Sequence, residues 1–405
     1  MEQTAQTTHD ELKTAIAERQ PELVDLRRHF HRHPELSFEE HQTAAAIAAH
    51  LRRAGLEVTE GVGGTGVVGL LRGTGASADA GRTLLVRADI DALPITEAND
   101  VEYASQSPGA MHACGHDAHI AIALTLADVL AGMRERLRGN VKFAFQPAEE
   151  RIGGAAPMIE QGVMRDPDVT AVIGLHIWSP TPVGDVVVQA GPLFASADEV
   201  YLKVRGRGGH GAMPHLNVDP IAAAAQIVVA VQTLVSREVS PFQPAVVTFG
   251  SIHGGTAFNI VADEVELRGT VRAYDPAVRE HLLRRIGEVA EGVAAALRAS
   301  AEYEVRRGAP ACVNDAEIAA LVHRAAQETV GAEHVPQGDQ RQSVSDDMAL
   351  FLNAAPGCYF LLGCGNPERG ITAPHHSPRF DVDEDALPIG VEVMARAALA
   401  YLAGD

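Results

Sequence analysis

Apolar residues recur along this chain in two rhythms. Near the start they fall at helical spacing. Leu23, Leu26 and Phe30 follow Pro21, a residue favoured in a first helical turn, and predict one helix. Ala44, Ile47, Ala48 and Leu51 share a face of a second, which stops at Gly55. Short continuous apolar runs then take over. TLLVRADI (83–90), NVKFAFQPA (140–148), VTAVIGLHI (169–177) and GCYFLLG (357–363) predict buried strands. An Ala/Leu/Ile-rich helix from about 117 to 133 separates the first two. Strands alternating with helices predict an α/β sheet with helices on both faces.

The middle of the chain keeps a different order. The strand YLKVRGR (201–207) precedes a helix over 219–239, then strands AVVTFGSI (245–252) and VELRGTVRAY (265–274), a helix over 276–299 and the strand EYEVRR (302–307). That is β-α-β-β-α-β, the split βαβ arrangement of a ferredoxin-like domain. Lying between strands of the larger sheet, it is predicted to be an insertion spanning 191–307, with 1–190 and 308–405 forming one discontinuous domain.

Length agrees with two domains, since 405 residues exceed what one compact core usually holds. With 33 basic and 53 acidic residues the formal charge is −20, a surface that repels phosphate backbones, so no nucleic-acid partner is expected. Cys114, Cys312, Cys358 and Cys364 show no paired spacing, and no disulfide framework is expected. The first twenty residues contain no apolar stretch of signal-peptide type, and no run approaches the roughly 18 apolar residues of a membrane span. A cytoplasmic enzyme without a membrane partner is the expectation.

Candidate chemistry is concentrated in MHACGHDAH (111–119), which offers His112, Cys114, His116, Asp117 and His119. Thiolate and imidazole beside carboxylates suit zinc, cobalt, nickel or manganese rather than calcium or magnesium. Other ligand-type residues close the apolar runs: Asp89 and Asp91 after TLLVRA, Glu149 and Glu150 after NVKFAFQPA, and His176 ending VTAVIGLHI. Sites in open α/β sheets form outside the carboxyl ends of strands, so these residues are expected to meet at one rim. Neighbouring Glu149 and Glu150 at a strand end would point to opposite sides and divide two jobs, metal binding and proton transfer. His375 and His376 lie between Pro374 and Pro378, which stiffen the backbone. In the insertion, GRGGHGAMPH flanks His210 with glycines that permit close approach to another surface. Gly64-Thr65-Gly66-Val67-Val68-Gly69 matches the dinucleotide pattern, yet VVGLLRG continues as a strand. No helix N-terminus is available there for phosphate.

RRHFHRHPELSFEE, RADIDALPITE, MHACGHDAH, FAFQPAEE, GLHIWS, GRGGHGAMPH, FNIVADEVELRGTVRAYD and HHSPRFDVDE, in order over nearly the whole chain, resemble the M20 metallopeptidase family. More narrowly they resemble its amidohydrolase branch of hippurate hydrolases, N-acyl-amino-acid amidohydrolases and auxin-conjugate hydrolases. The cysteine of CGHD marks that branch, related peptidases typically having aspartate. The resemblance implies a mixed-sheet, metallo-exopeptidase-like catalytic domain with an inserted ferredoxin-like lid and dimerisation domain. It also implies two divalent ions per subunit (Zn, Mn, Co or Ni), held by a bridging Cys114 with His116, Glu150, His176 and His376. Glu149 matches the catalytic base, Asp89 a carboxylate orienting a ligand histidine, and His210 a lid histidine reaching a partner subunit's site. Asn259 and Arg272 match positions beside bound substrate. The implied reaction is hydrolysis of an N-acyl amino acid by a homodimer or dimer-based oligomer. In that implied reaction Glu149 would move the proton, and His210 with the metals would steady the oxyanion. Two other readings remain open: a dipeptidase or aminopeptidase, and a metal-containing binding protein without turnover, against which an intact Glu149 argues.

Overall fold

A computed structural model describes residues 2–75 and 81–404. Its contacts divide the chain into two compact units, Met1–Leu193 with Val313–Gln340 and Asp347–Asp405, and Phe194–Cys312 with Arg341–Asp346. Residues 341–346 therefore group with the inserted segment. They are tied there by a Phe194–Gln342 bridge and by Ala195 N–H donating to Val344 O at 2.9 Å.

The first unit is built on strands β1 (Glu57–Val62), β2 (Gly66–Arg72), β3 (Thr83–Asp89), β4 (Asn140–Gln146), β5 (Ala171–Pro182) and β6 (Val186–Val187). The inserted unit supplies β7 (Asp198–Arg205), β8 (Ala245–Gly254), β9 (Glu264–Ala273) and β10 (Ser300–Arg307), and β11 (Gly357–Gly365) returns to the first sheet. Among the described residues that sheet has seven strands in the order β1-β2-β4-β3-β5-β11-β6. Its centre, β4-β3-β5-β11, is parallel and its margins are antiparallel, so the fold is a mixed-sheet α/β fold. Helices α1 (Glu2–Arg32), α2 (His41–Arg53), α3 (His116–Gly132), α6 (Ala316–Val330) and α7 (Ala386–Ala403) belong to it.

Strand pleating sorts the residues of this sheet. Leu84 and Val86 of β3, Phe143 of β4, Ile173 of β5 and Phe360 of β11 enter one apolar core with α1, α3 and α7. The alternate positions Arg87, Asp89, Gln146, His176 and Tyr359 therefore present polar groups on the opposite face, beneath a cover that includes Met348. Asp89 pairs with Gln146, and His176 with Leu361, so the strands bring these groups to adjoining registers.

Two sequence expectations change. Pro21 lies inside α1 rather than in its first turn, because the apolar stripe starts earlier, with Leu12 and Ile16 buried ahead of Leu23 and Phe30. His176 does not end its strand: β5 runs on to Pro182, where Gly365 pairs with it beyond an irregular step in the register. The G-x-G-x-x-G stretch forms the turn of the β1–β2 hairpin and the start of β2, as a strand continuation requires.

In the inserted unit the sheet order is β8-β9-β7-β10, all antiparallel, with α4 (Pro220–Thr233) and α5 (Pro276–Ala296) as its crossovers. This is the ferredoxin-like arrangement. Asp219 and Asp275 cap the two helices by accepting backbone N–H bonds, each followed by proline at the first helical position. Val200, Leu202 and Val204 pack against these helices. Two helical segments, Pro220–Glu238 and Ala386–Ala403, are long and apolar enough by composition to cross a bilayer. The second is largely buried within its own unit.

Candidate metal centre

Four segments of the first unit deliver ligand-type side chains to one place. The loop before α3 ends in Cys114 and Gly115, and His116 opens the helix. Gly115 has φ +93°, the left-handed backbone that lets the chain swing from loop into helix between two donors. After β4 the chain enters a single 3₁₀ turn, Glu149–Arg151, bracketed by left-handed Ala148 and Ile152. Gly154 closes this turn so tightly that a Cβ there would stand 1.6 Å from Pro147 O. β5 contributes His176, and the loop after β11 contributes His375 and His376.

The donor atoms of Cys114, His116 and His176 lie within 4.8 Å of one another, as do those of Cys114, Glu150 and His376, and those of His116, Glu149 and Glu150. Cys114 Sγ is 3.6 Å from His176 Nε2, and Glu150 Oε1 is 3.5 Å from His376 Nε2 and 3.9 Å from His116 Nε2. His116 Nε2 and Glu150 Oε1 are buried without a hydrogen-bond partner among the described residues. Buried polar atoms are ordinarily satisfied, and these two converge on thiol and imidazole donors. The donor set fits divalent transition-metal ions.

Surrounding groups fix the donors. His116 Nδ1 donates to Asp91 O at 2.8 Å, which leaves Nε2 facing the cluster. The Asp91 carboxylate accepts the backbone N–H groups of Glu149 and Glu150, both at 3.1 Å, and the Ser37 hydroxyl at 2.7 Å. Asp89 hydrogen-bonds His119, which is outside the five ligand-type residues: His119 Nδ1 donates to its Oδ1 at 2.5 Å, while Ile177 N–H donates to His119 Nε2; Asp89 Oδ2 lies 3.6 Å from His116 Nε2. Behind Asp89, Arg87 donates to its Oδ2 at 2.7 Å, to Gln146 at 2.8 Å and to Asp347 at 3.2 Å. The two C-terminal histidines differ. His375 is packed on Trp178, and its Nε2 accepts Ser179 N–H at 3.2 Å, whereas His376 is exposed and directs Nε2 at Glu150.

Electrostatics follow from this crowding. Burial, then Glu150, Glu149 and Asp89, raises the Cys114 thiol well above its ordinary range. Burial pulls His116 down, but Asp89, Asp91 and Glu150 outweigh it and carry it up to about 10. Burial, reinforced by His119 and His375, holds His176 well below the usual imidazole range. Burial opposes the charge on Asp89, yet Arg87 and the two neighbouring histidines keep its carboxyl well below the usual range. The carboxylates of Asp89, Asp91 and Glu150 thus dominate the field at the cluster, which disfavours a thiolate there and favours positive charge.

The expectation that Glu149 and Glu150 point to opposite faces fails, because they occupy a 3₁₀ turn instead of a strand and both reach the same cluster. Asp91, Arg87 and Asp347 escaped the sequence reading as supports. An arginine two residues before Asp89 within an apolar run was a usable signal. Asp347, in SVSDDM, carried none. His210, Asn259 and Arg272 belong to the second unit. His210 pairs across a short ladder with Ile260, and Gly211 N–H donates to Asn259 O at 2.8 Å, so His210 and Asn259 are neighbours. Arg272 is half-buried, donates to Ser345 Oγ at 3.0 Å and forms no ion pair among the described residues.

Comparison with known proteins accords with this geometry. The profile of Peptidase family M20/M25/M40 matches residues 85–400. Thermostable carboxypeptidase 2 of Saccharolobus solfataricus is 38% identical over 398 residues, covering 97% of this chain and 98% of the relative. The N-acyl-L-amino acid amidohydrolase of Geobacillus stearothermophilus is 41% identical over 309 residues, 76% of this chain and 82% of its own. A dinuclear metal-binding peptidase of the M20 family from Bacillus subtilis has a similar structure, with a TM-score of 0.82 at 33% identity over 96% of this chain and 99% of that one.

Replacing Arg87 by methionine leaves Asp89 and Asp347 buried without their guanidinium. Breaking such a pair costs about 3–5 kcal/mol. A denaturant titration of Arg87→Met is expected to show that loss, and an unchanged midpoint would show that Arg87 is not needed to hold Asp89.

Proposed function

The chain belongs to peptidase family M20/M25/M40, and from that premise we propose how its residues carry out the family's chemistry. It is a metal-dependent amidohydrolase that cleaves the amide bond of N-acyl amino acids, giving a carboxylic acid and a free amino acid. The observation that carries this reading is the convergence of Cys114, His116, Glu150, His176 and His376 beside a second glutamate. Two divalent ions per subunit would be held by those five residues. The Nε2 of His376, aimed at Glu150, supports it as the ligand over His375, whose Nε2 is already engaged. A thiol in the set favours zinc, manganese, cobalt or nickel.

When bound, the ions supply Lewis acidity, lowering the pKa of water and polarising the amide carbonyl. Glu149, the glutamate kept beside the ligands by Asp91, takes the proton from attacking water and returns it to the departing amine nitrogen. Asp89 keeps His119 in one tautomer and orientation. His210 donates to the oxyanion that forms on the substrate carbonyl. Asn259 and Arg272 receive the free carboxylate of the amino-acid moiety; the missing ion pair on half-buried Arg272 supports this in a protein of net charge −20. The four cysteines are free and buried, which supports a reducing, cytoplasmic setting.

We further propose that the inserted unit pairs two subunits, so that His210 of each serves the other's site. The exposed face of α4 carries Ile221 and Val229, and the helix has no charged residue. The edge strand β8 exposes Val246 and Ile252, and Phe242 and Phe258 are almost wholly exposed nearby in sequence. The opposite edge, β10, carries Glu302, Glu304, Arg306 and Arg307, charges that blunt strand pairing.

A screen of N-acetyl, N-benzoyl and indoleacetyl amino acids beside dipeptides and carboxypeptidase substrates tests the reaction. Hydrolysis of an N-acyl amino acid should be abolished by chelators and by Glu149→Gln, the latter falling about 10²–10⁴-fold with metal content kept. Glu150→Gln should instead lose metal. Turnover that survives complete metal removal would sink the reading.

The subunit arrangement has its own test. Equal amounts of inactive His210→Ala and Glu149→Gln proteins, mixed where subunits exchange, should recover towards about a quarter of wild-type activity, since roughly half the dimers are mixed. No recovery despite proven exchange would place His210 at its own subunit's site or at none.

A further inference from the structure

Behind the metal centre stands a second ionic cluster that the reaction does not use. Arg27 of α1 has no exposed side-chain surface. Its guanidinium donates from Nε to Asp117 Oδ2 at 2.8 Å, from Nη2 to Asp381 Oδ1 at 2.7 Å, and from Nη1 to Glu384 Oε1 at 3.4 Å. One helical turn further along, His31 Nδ1 donates to the same Asp117 oxygen at 2.7 Å. Tyr103 OH donates to the other oxygen of Asp381, also at 2.7 Å.

Asp117 immediately follows His116 in the first turn of α3, and Asp381 lies five residues beyond His376. The two arms of one rigid fork therefore end on the two segments that carry those donors. The segments also touch directly, His376 N–H donating to Ala113 O at 2.8 Å, and within the second segment Phe380 packs its buried ring on His375. Only a planar guanidinium can span carboxylates in these directions at once; an ammonium is a point charge with no such geometry. A cation behind a site built to receive cations adds repulsion there, so its value lies in position.

Resting on the two-metal reading above, we propose that Arg27 is a positioning residue. Through Asp117 and Asp381 it sets the separation of the His116 and His376 segments, and thereby the geometry with which the two ions are held. A structural ion pair alone would change the stability of the protein and leave the affinity of folded molecules as it was.

The test titrates metal-free protein with cobalt(II) and zinc(II) against a chromophoric chelator, and records the visible cobalt spectrum. Asp381→Asn keeps the size of the side chain and is expected to fold. It should weaken one of the two equivalents, the one His376 holds, about 10–100-fold. Arg27→Lys should weaken both and shift the cobalt bands. Arg28→Ala removes the neighbouring Arg28–Glu384 pair, whose bonds measure 2.8 and 2.6 Å, and the stacking of Arg28 on Tyr103; it leaves the bonds of Arg27 to Asp117 and Asp381 in place and should leave affinity and spectrum unchanged. Wild-type affinity and spectrum in folded Asp381→Asn and Arg27→Lys would overturn the proposal while leaving the hydrolase reading intact, as would equal weakening by Arg28→Ala. A wild-type protein that binds no metal would overturn both.

Discussion

Burying several anionic groups together is the constraint that organises the first unit. Asp89, Asp91 and Glu149 are withdrawn from water within one cluster, and Glu150 is nearly so. Such groups repel one another most strongly where water cannot screen them. The fold answers with fixed cations and donors on the protein side. Arg87 faces Asp89, two backbone N–H groups face Asp91, and Arg27 with His31 faces Asp117. Among the buried atoms left without a partner, His116 Nε2 and Glu150 Oε1 face each other within the ligand cluster.

The parallel centre of the sheet makes this arrangement possible. Pleating lets one strand serve two purposes, with Leu84, Val86 and Ala88 feeding the apolar core while Arg87 and Asp89 line the other face. The same division holds in β5, where Ile173, Leu175 and Ile177 lie on the core side and His176 alternates with them. A core mutation and a site mutation can thus lie one residue apart and act through different physics.

Much of this was legible in the sequence. Apolar runs located β3, β4, β5 and β11, and the order of the middle segment gave the ferredoxin-like insertion, because period and run length report burial directly. The donors were legible through residue type and motif. The reading missed what local pattern does not encode. α6 and α7 went unread, although both are amphipathic or buried helices of the core. The 3₁₀ turn at Glu149 depends on Gly154 meeting Pro147, a tertiary contact. Asp347 joins Arg87 from a segment 260 residues away, a separation at which composition says nothing.

The central claim is that these side chains form one two-metal centre. Anomalous diffraction from crystals of the cobalt- or zinc-loaded protein, collected at the metal edge, tests it most directly. The account predicts two peaks in each subunit, both about 2.3 Å from Cys114 Sγ, with His and Glu donors at about 2.0–2.2 Å. A single peak, or peaks remote from Cys114, would contradict it.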